Sequence, residues 1–302
     1  MSATAPPLPL LHLMCAADRN YGAYAGLVMQ SAMAVTRKGR IHFHLLSDGV
    51  APDDIEKCSL AARNAGHEFT SYEVSSKLNN LPKELRMANH LSRAAYSRLL
   101  FSDLLPNTVH RLIYLDCDIV CQQDLTDLWT FGDGLTTIAA VRDPWLDPDG
   151  ELKSSLGLAP GNVYFNSGVL LINVDAWRAD NTEDRLRDFV LKRRDIKHAD
   201  QDTLNAVLSS GLTELPEQWN MMINHPRRDE EGRLRQSAGI LHYVGGFKPW
   251  HFGYRLLHPG KGRPYASVKR RSPWASKLPD FQSRRVTKKF RSLVQHRPRW
   301  GR

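Results

Sequence analysis

Short apolar runs alternate with stretches of helical spacing along most of this chain, and that rhythm predicts its elements. Leu10 to Ala17 reads as a buried strand ending at Asp18, and Tyr24 to Val35 carries Ala, Leu, Val and Met at the period of a helix. Ile41 to Leu46 reads as a second strand, closed by Ser47-Asp48-Gly49. Pro52 to Ala65 reads as a second helix with its proline in the first turn. Glu68 to Val74 alternates as a third strand. A helix is expected over Ser92 to Leu104, stopping before Pro106. Ile113 to Val120 forms a central strand, and Thr136 to Val141, Phe165 to Asn173 and Gly239 to Val244 form further ones. Asp175 to Arg193 reads as one long polar helix and Asp200 to Leu208 as a short one. The alternation predicts an α/β protein with a mostly parallel sheet flanked by helices.

Composition adds bounds. The chain has 302 residues, 42% of them hydrophobic, enough for one large α/β domain or two small ones. Cys117 and Cys121 are the only close cysteine pair. Their neighbours are not turn residues, so they read as neither a zinc site nor a disulfide framework, and a reducing cytoplasm fits. The opening residues lack a basic n-region, and no run approaches the length of a membrane span.

Charge changes the picture more. The formal net charge is +9, but residues 256–302 hold 14 Lys and Arg against one acid, Asp280, which leaves residues 1–255 at −4. We expect a catalytic domain over 1–255 and a basic, partly amphipathic C-terminal segment over 256–302. Val286, Phe290, Leu293 and Val294 fall at helical spacing among Arg285, Lys288, Lys289 and Arg291. Trp274, Phe281 and Trp300 add aromatic rings of the kind that favour a membrane interface. An anionic membrane surface is the partner this segment suits, with peripheral attachment to the inner face of the cytoplasmic membrane. The plainer reading is a solvated tail.

The candidate chemistry begins at Tyr114-Leu115-Asp116-Cys117-Asp118. On a strand, Asp116 and Asp118 point to one face. Two carboxylates in an apolar setting repel and are costly to desolvate, so a divalent cation would neutralise them. A strand edge where both meet water serves equally well. Ligand crevices of open α/β sheets lie beyond the carboxyl ends of the strands. Asp18, Asn20 and Tyr21 follow the first strand, Asn166 opens the Gly168 strand, His242 lies in the last strand, and Gly245, Gly246 and Lys248 follow it. Two carboxylates plus an imidazole suit Mn²⁺, with Mg²⁺ the alternative, better than Zn²⁺. Glycines let a phosphate approach the backbone, and Lys248 and Arg98 supply charge for it. Taken singly, His242 is a core histidine, Asp18 a helix cap and the Gly-Gly pair a turn.

Together with Ala16-Ala17-Asp18-Arg19-Asn20-Tyr21, Ala95-Tyr96-Ser97-Arg98-Leu99, Tyr164-Phe165-Asn166-Ser167-Gly168-Val169, Asp200-Gln201-Asp202 with Leu204-Asn205, and His242-Tyr243 to Lys248-Pro249-Trp250, these residues give six ordered motifs. From Leu11 to Trp250 the chain resembles the family-eight glycosyltransferases, retaining galactosyl- and glucosyltransferases of the GT-A fold. The resemblance implies a UDP-hexose donor and a saccharide or glycolipid acceptor, in lipopolysaccharide core or surface-glycan synthesis. It implies that Asp116, Asp118 and His242 hold Mn²⁺, and that Asp18 and Asn20 contact uracil and ribose. Gly245 and Lys248 would hold the diphosphate. Arg98, Asn166, Asp200 and Gln201 would grip the donor sugar, with Asp143 near the acceptor. Retention by same-face attack is favoured because Gln201 is a poor nucleophile, and Asp200 and Asp202 keep a covalent route open. A self-priming, glycogenin-like glucosyltransferase and a non-catalytic nucleotide-sugar binder are the alternatives. A nucleic-acid-binding reading of the basic tail leaves the acidic pair unexplained, so no nucleic-acid partner is expected.

Overall fold

The structure is a computed structural model and describes residues 7–79, 96–132, 134–143, 150–193, 196, 198–223 and 237–281. Its elements run β1 (Leu10–Asp18), α1 (Gly22–Val35), β2 (Arg40–Asp48), α2 (Pro52–Asn64), β3 (Glu68–Glu73), α3 (Ser75–Asn79), β4 (Arg111–Leu115), β5 (Ile119–Cys121), α4 (Thr126–Trp129), β6 (Ile138–Arg142), α5 (Glu151–Leu156), β7 (Phe165–Asn173), α6 (Val174–Ala179), α7 (Thr182–Lys192), α8 (Ala199–Leu208), β8 (Leu212–Glu214), β9 (Met221–Ile223), β10 (Ile240–Tyr243), α9 (Tyr254–Leu257) and α10 (Pro259–Arg270). A seven-stranded sheet has the order β3-β2-β1-β4-β7-β6-β8, and a three-stranded sheet the order β5-β10-β9. The large sheet is parallel from β3 to β4 and between β6 and β8, with β7 reversed against both its neighbours.

Strands β1 and β2 are apolar on both faces because both faces are covered. Leu11, Leu13, Cys15 and Ala17 pack with α1 in one core, whereas Met14 and Ala16 join Tyr114, Phe165 and Trp177 in the other. This two-sided burial is the condition for a parallel sheet, and the α/β architecture is the one the periodicity predicts.

Three elements differ from their sequence expectation. The run from Ile113 to Val120 is two strands, β4 in the large sheet and β5 in the small one, and Asp116 to Asp118 turn between them. The carboxylates therefore meet through a turn rather than by strand alternation. In the described part of the Ser92–Leu104 segment, helix ends at Ser97 and irregular turns follow, and residues 92–95 lie outside the described residues. Buried Phe101 and Leu105 pull this piece into the second core, and the Arg178 guanidinium satisfies its carbonyls at Ser102, Leu105 and Val109. The expected long helix from Asp175 breaks at Asn181, which adopts φ 48°, a conformation asparagine tolerates better than most residues.

The chain beyond 255 also divides. Tyr254, Tyr265 and Trp274 are buried in the same core as β1 and α1. A Cβ at Gly26 would lie 2.1 Å from the Trp274 ring, so α1 and the indole meet there only because position 26 is glycine. Trp274 Nε1 donates to Asp54 at 2.6 Å, and Tyr24 Oη donates to Asp280 at 2.7 Å. Tyr265 and Trp274 thus pack against the same core as β1 and α1, while Leu256, Leu278 and Phe281 of the same stretch stay exposed. The sequence's amphipathic stretch, Val286 to Val294, lies outside the described residues. Among the described residues no helix is long and apolar enough to cross a membrane.

A row of imidazoles lies on β1 and β2. Burial, then repulsion from neighbouring imidazoles, pulls His44 down to about 2 and His12 down to about 4. Both folded values lie below the ordinary imidazole value, so the unfolded chain takes up these protons first. Their contribution to stability is fully present above about pH 6.5 and is lost as pH falls towards 4. The urea midpoint is expected to fall between pH 7 and pH 5, and His12→Gln to make that fall shallower. Identical slopes for the two proteins would contradict this.

Candidate active site

The site forms where the small sheet meets the carboxyl edge of the large one. β10 runs antiparallel to β5 with His242 opposite Ile119, and Tyr243 N donates to Asp118 O at 2.9 Å. That register brings the imidazole onto the acidic turn. His242 Nε2 lies 3.2 Å from Asp118 Oδ1 and 4.0 Å from Asp116 Oδ2. One ligand atom from each of the three residues lies within 4.8 Å of the others. Gly168 is the floor beneath them: its carbonyl accepts from Asp116 N at 2.9 Å, and a Cβ there would stand 2.3 Å from His242 Cε1. Only glycine leaves room for the ring.

Two cations flank the acids. The Lys248 ammonium contacts Asp118 and donates to Tyr243 O at 2.8 Å. Burial alone would raise the Asp118 carboxyl, but Lys248 and His242 outweigh it and hold it well below the usual carboxylate range. Arg98, buried, reaches Asp116 Oδ1 at 2.8 Å and Asp200 Oδ2 at 2.9 Å, and its guanidinium lies over the Tyr114 ring. The contact to Asp200 has ion-pair distance without hydrogen-bond alignment. Burial exceeds that attraction, and with repulsion from Asp116 it pushes the Asp200 carboxyl up to about 6.

Helix α8 is pinned to the start of β7 by Asn205, which accepts from Phe165 N at 2.7 Å and donates to Phe165 O at 2.8 Å. Gln201 consequently meets Ser167 N at 3.1 Å and Asn166 Nδ2 at 3.2 Å through its carbonyl oxygen. Asn166 Nδ2 also donates to Asp143 Oδ2 at 3.2 Å. Asn220 closes the chain: it donates to Asn166 Oδ1 at 2.8 Å and its Oδ1 lies 2.9 Å from His242 Nδ1. A polar relay therefore runs from Gln201 through Asn166 and Asn220 to His242, and it fixes the ring so that Nε2 faces the carboxylates.

The structure brings together Arg98, Asp116, Asp118, Asp143, Asn166, Asp200, Gln201, His242 and Lys248. Cys117 Sγ lies 3.2 Å from Ala16 O, which sets the acidic turn beside the end of β1, where Asp18 accepts from Asn20 N at 2.8 Å. Gly245 adopts φ +80° on the exposed loop before Lys248. Asp202 is placed differently from Gln201. It is fully buried and spends both oxygens inside the fold, accepting from Tyr164 Oη at 2.6 Å and His198 N at 2.7 Å. These bonds anchor the start of α8. Sequence reasoning missed Asn220. Its only signal is a lone amide between Trp219 and the apolar Met221 to Ile223.

Two carboxylates and one imidazole, with Asp118 held ionised, fit a divalent cation of the Mg²⁺ or Mn²⁺ type. The mostly parallel sheet, with this site at its carboxyl edge, has the GT-A-like architecture of solved glycosyltransferases. The comparisons agree. The model of glycosyl transferase family 8 matches residues 12–253. The lipopolysaccharide 1,2-glucosyltransferase of Escherichia coli K12 is 29% identical, over 95% of this chain and 86% of that one. The lipopolysaccharide 1,3-galactosyltransferase of Salmonella typhimurium is 27% identical, over 85% and 77%. The galactosyltransferase LgtC, solved with donor and acceptor sugar analogues, is 25% identical with a TM-score of 0.73, over 92% of this chain and 100% of that one. The chain belongs to glycosyl transferase family 8 and is a glycosyltransferase.

Proposed function

We propose that this enzyme moves a hexose, galactose or glucose, from a UDP-sugar to a saccharide acceptor with retention, in the assembly of lipopolysaccharide core or a related surface glycan. The observation that carries this reading is the meeting of Asp116, Asp118 and His242 beside the Gln201–Asn166 network on one sheet edge. The likeness to two lipopolysaccharide hexosyltransferases supports the acceptor class.

Asp116, Asp118 and His242 would hold Mn²⁺. When bound, that ion supplies Lewis-acid stabilisation of the charge left on UDP. Lys248, already facing the same turn, binds the diphosphate and opposes its developing charge. Asp18 and Asn20, at the end of β1, take the nucleoside. Arg98, Asn166 and Asp200 orient the hexose. Gln201 places an amide where a covalent route needs a carboxylate, so the acceptor attacks from the departing face and its proton passes to a UDP phosphate oxygen. Asp200, its carboxyl raised to about 6, would be the nucleophile of the alternative covalent route.

A donor screen with Mn²⁺, read by UDP release and product anomer, tests the reading. Release is expected from one UDP-hexose and an added acceptor, with an α-linked product. UDP binding without turnover on any acceptor would make the chain a nucleotide-sugar binder. Hexose added to the protein itself, seen by intact mass, would make it self-priming.

We place the membrane-surface contact in residues 282–302, which hold eight Lys and Arg and no acid. Each basic residue near an anionic surface contributes about 1 kcal/mol. Truncation after Phe281 is expected to abolish sedimentation with anionic liposomes and to leave UDP-sugar hydrolysis intact. Unchanged sedimentation would refute this role.

A further inference from the structure

We propose that His12, His42 and His44 form a second metal site, which takes one late first-row transition ion such as Zn²⁺ at the amino-terminal end of the main sheet. The parallel register sets His12 opposite His42 and Met14 opposite His44. Residues 42 and 44 share a face of β2 by strand alternation. Three imidazoles therefore converge on one patch of one sheet face. His12 Nδ1 and His44 Nε2 lie 3.0 Å apart, and the His42 and His44 rings stack at 4.1 Å. One nitrogen from each ring lies within 4.8 Å of the others. A tetrahedral ion with bonds of about 2.0–2.1 Å sets its ligand atoms about 3.4 Å apart; the His12–His44 pair is already near that separation, and His42 joins it by turning its ring out of the stack on His44.

The surroundings are those of a supported metal site. His44 Nδ1 lies 3.1 Å from Tyr72 Oη, and His42 Nε2 lies 2.8 Å from Thr70 Oγ1. Glu68, opposite His42 on β3, puts a carboxylate oxygen 3.5 Å from His42 Nδ1 and is itself held by Arg40 at 2.7 Å. Thr70 and Tyr72, each hydrogen-bonded to the ring nitrogen that does not face the ion, fix ring orientation. An open depression of about 300 Å³ reaches His42, with Arg63, His67, Glu68 and Thr70 also in its lining. Water or Glu68 supplies the fourth ligand.

The donor set differs from that of the active site. Three imidazole nitrogens select Zn²⁺, Ni²⁺ or Cu²⁺, whereas two carboxylates and one imidazole suit Mn²⁺ or Mg²⁺. The sites are also far apart. Six residues of β1 separate His12 from Asp18, about 20 Å at strand rise. An ion here ties β1 to β2 and takes no part in transfer. The plainer alternative is a hydrogen-bonded histidine ladder, and it predicts no ion.

The test uses full-length protein saturated with Mn²⁺ and UDP. Zn²⁺ is titrated by calorimetry, and Cu²⁺ is added separately and read by electron paramagnetic resonance. One Zn²⁺ per chain is expected in the wild type and in Asp118→Asn. His42→Gln and His12→Gln, folded by circular dichroism, are expected to weaken it at least about 100-fold. The Cu²⁺ spectrum is expected to show splitting from three nitrogens that collapses in His42→Gln, while Mn²⁺-dependent turnover stays at the wild-type rate. Zn²⁺ bound equally by His42→Gln and the wild type, or lost only in Asp118→Asn, would overturn the site. His42 is partly exposed whereas His44 is fully buried, so His42→Gln is the variant that keeps the fold and the test decisive.

Discussion

Asp118→Asn is expected to reduce UDP-hexose turnover at least about a thousandfold while leaving the far-ultraviolet circular dichroism unchanged. The substitution keeps the size of the side chain and removes its charge. Three things depend on that charge: the pairing with Lys248, the electrostatic hold on His242, and one of the two carboxylates offered to the cation. Lys248 retains its bond to Tyr243 O, so the loop does not lose its only anchor. Binding of Mn²⁺, followed by electron paramagnetic resonance, is expected to weaken in parallel with turnover. A variant with full activity would remove Asp118 from the chemistry.

The second large effect lies far from the chemistry. Trp274→Ala is expected to destabilise the fold by about 3–5 kcal/mol, because it empties a buried indole site and removes the bond to Asp54. That is a large share of the roughly 5–15 kcal/mol that holds a domain together. Truncation at Gly260 removes Tyr265 as well, together with the Asp280 partner of Tyr24, and is expected to give an aggregated or unfolded protein. Truncation after Phe281 keeps all of these contacts and is expected to melt within a few degrees of the full chain. Equal thermal midpoints for the two truncations would show that residues 260–281 are an appendage.

The contrast shows what the sequence could convey. Strands β1, β2, β4 and β7 were legible because burial on both faces leaves mostly apolar runs, with His12, His42 and His44 set among the apolar residues of β1 and β2. The candidate residues that the structure brings together were legible because they lie at strand ends in a fixed order. The turn at Asp116–Asp118 was not, since a strand that changes sheets keeps the same apolar flanks as one that continues. The break at Asn181 depends on one left-handed residue, which leaves no periodic trace. Asn220 reads as an ordinary amide until β9 carries it beside His242. Beyond residue 255 average charge hides two aromatics, Tyr265 and Trp274, whose burial is decided by the rings and not by the basic residues between them. The His12–His42–His44 row was hidden because its members are brought together by register between strands.

The account's central claim is that Asp116, Asp118 and His242 jointly bind the cation that the donor diphosphate requires. The most direct measurement is anomalous diffraction at the manganese edge from crystals soaked with UDP and Mn²⁺. A single peak bonded to both carboxylates and to His242 Nε2, with the diphosphate beside Lys248, is the predicted result. A peak elsewhere, or an imidazole turned away from the acids, would contradict it.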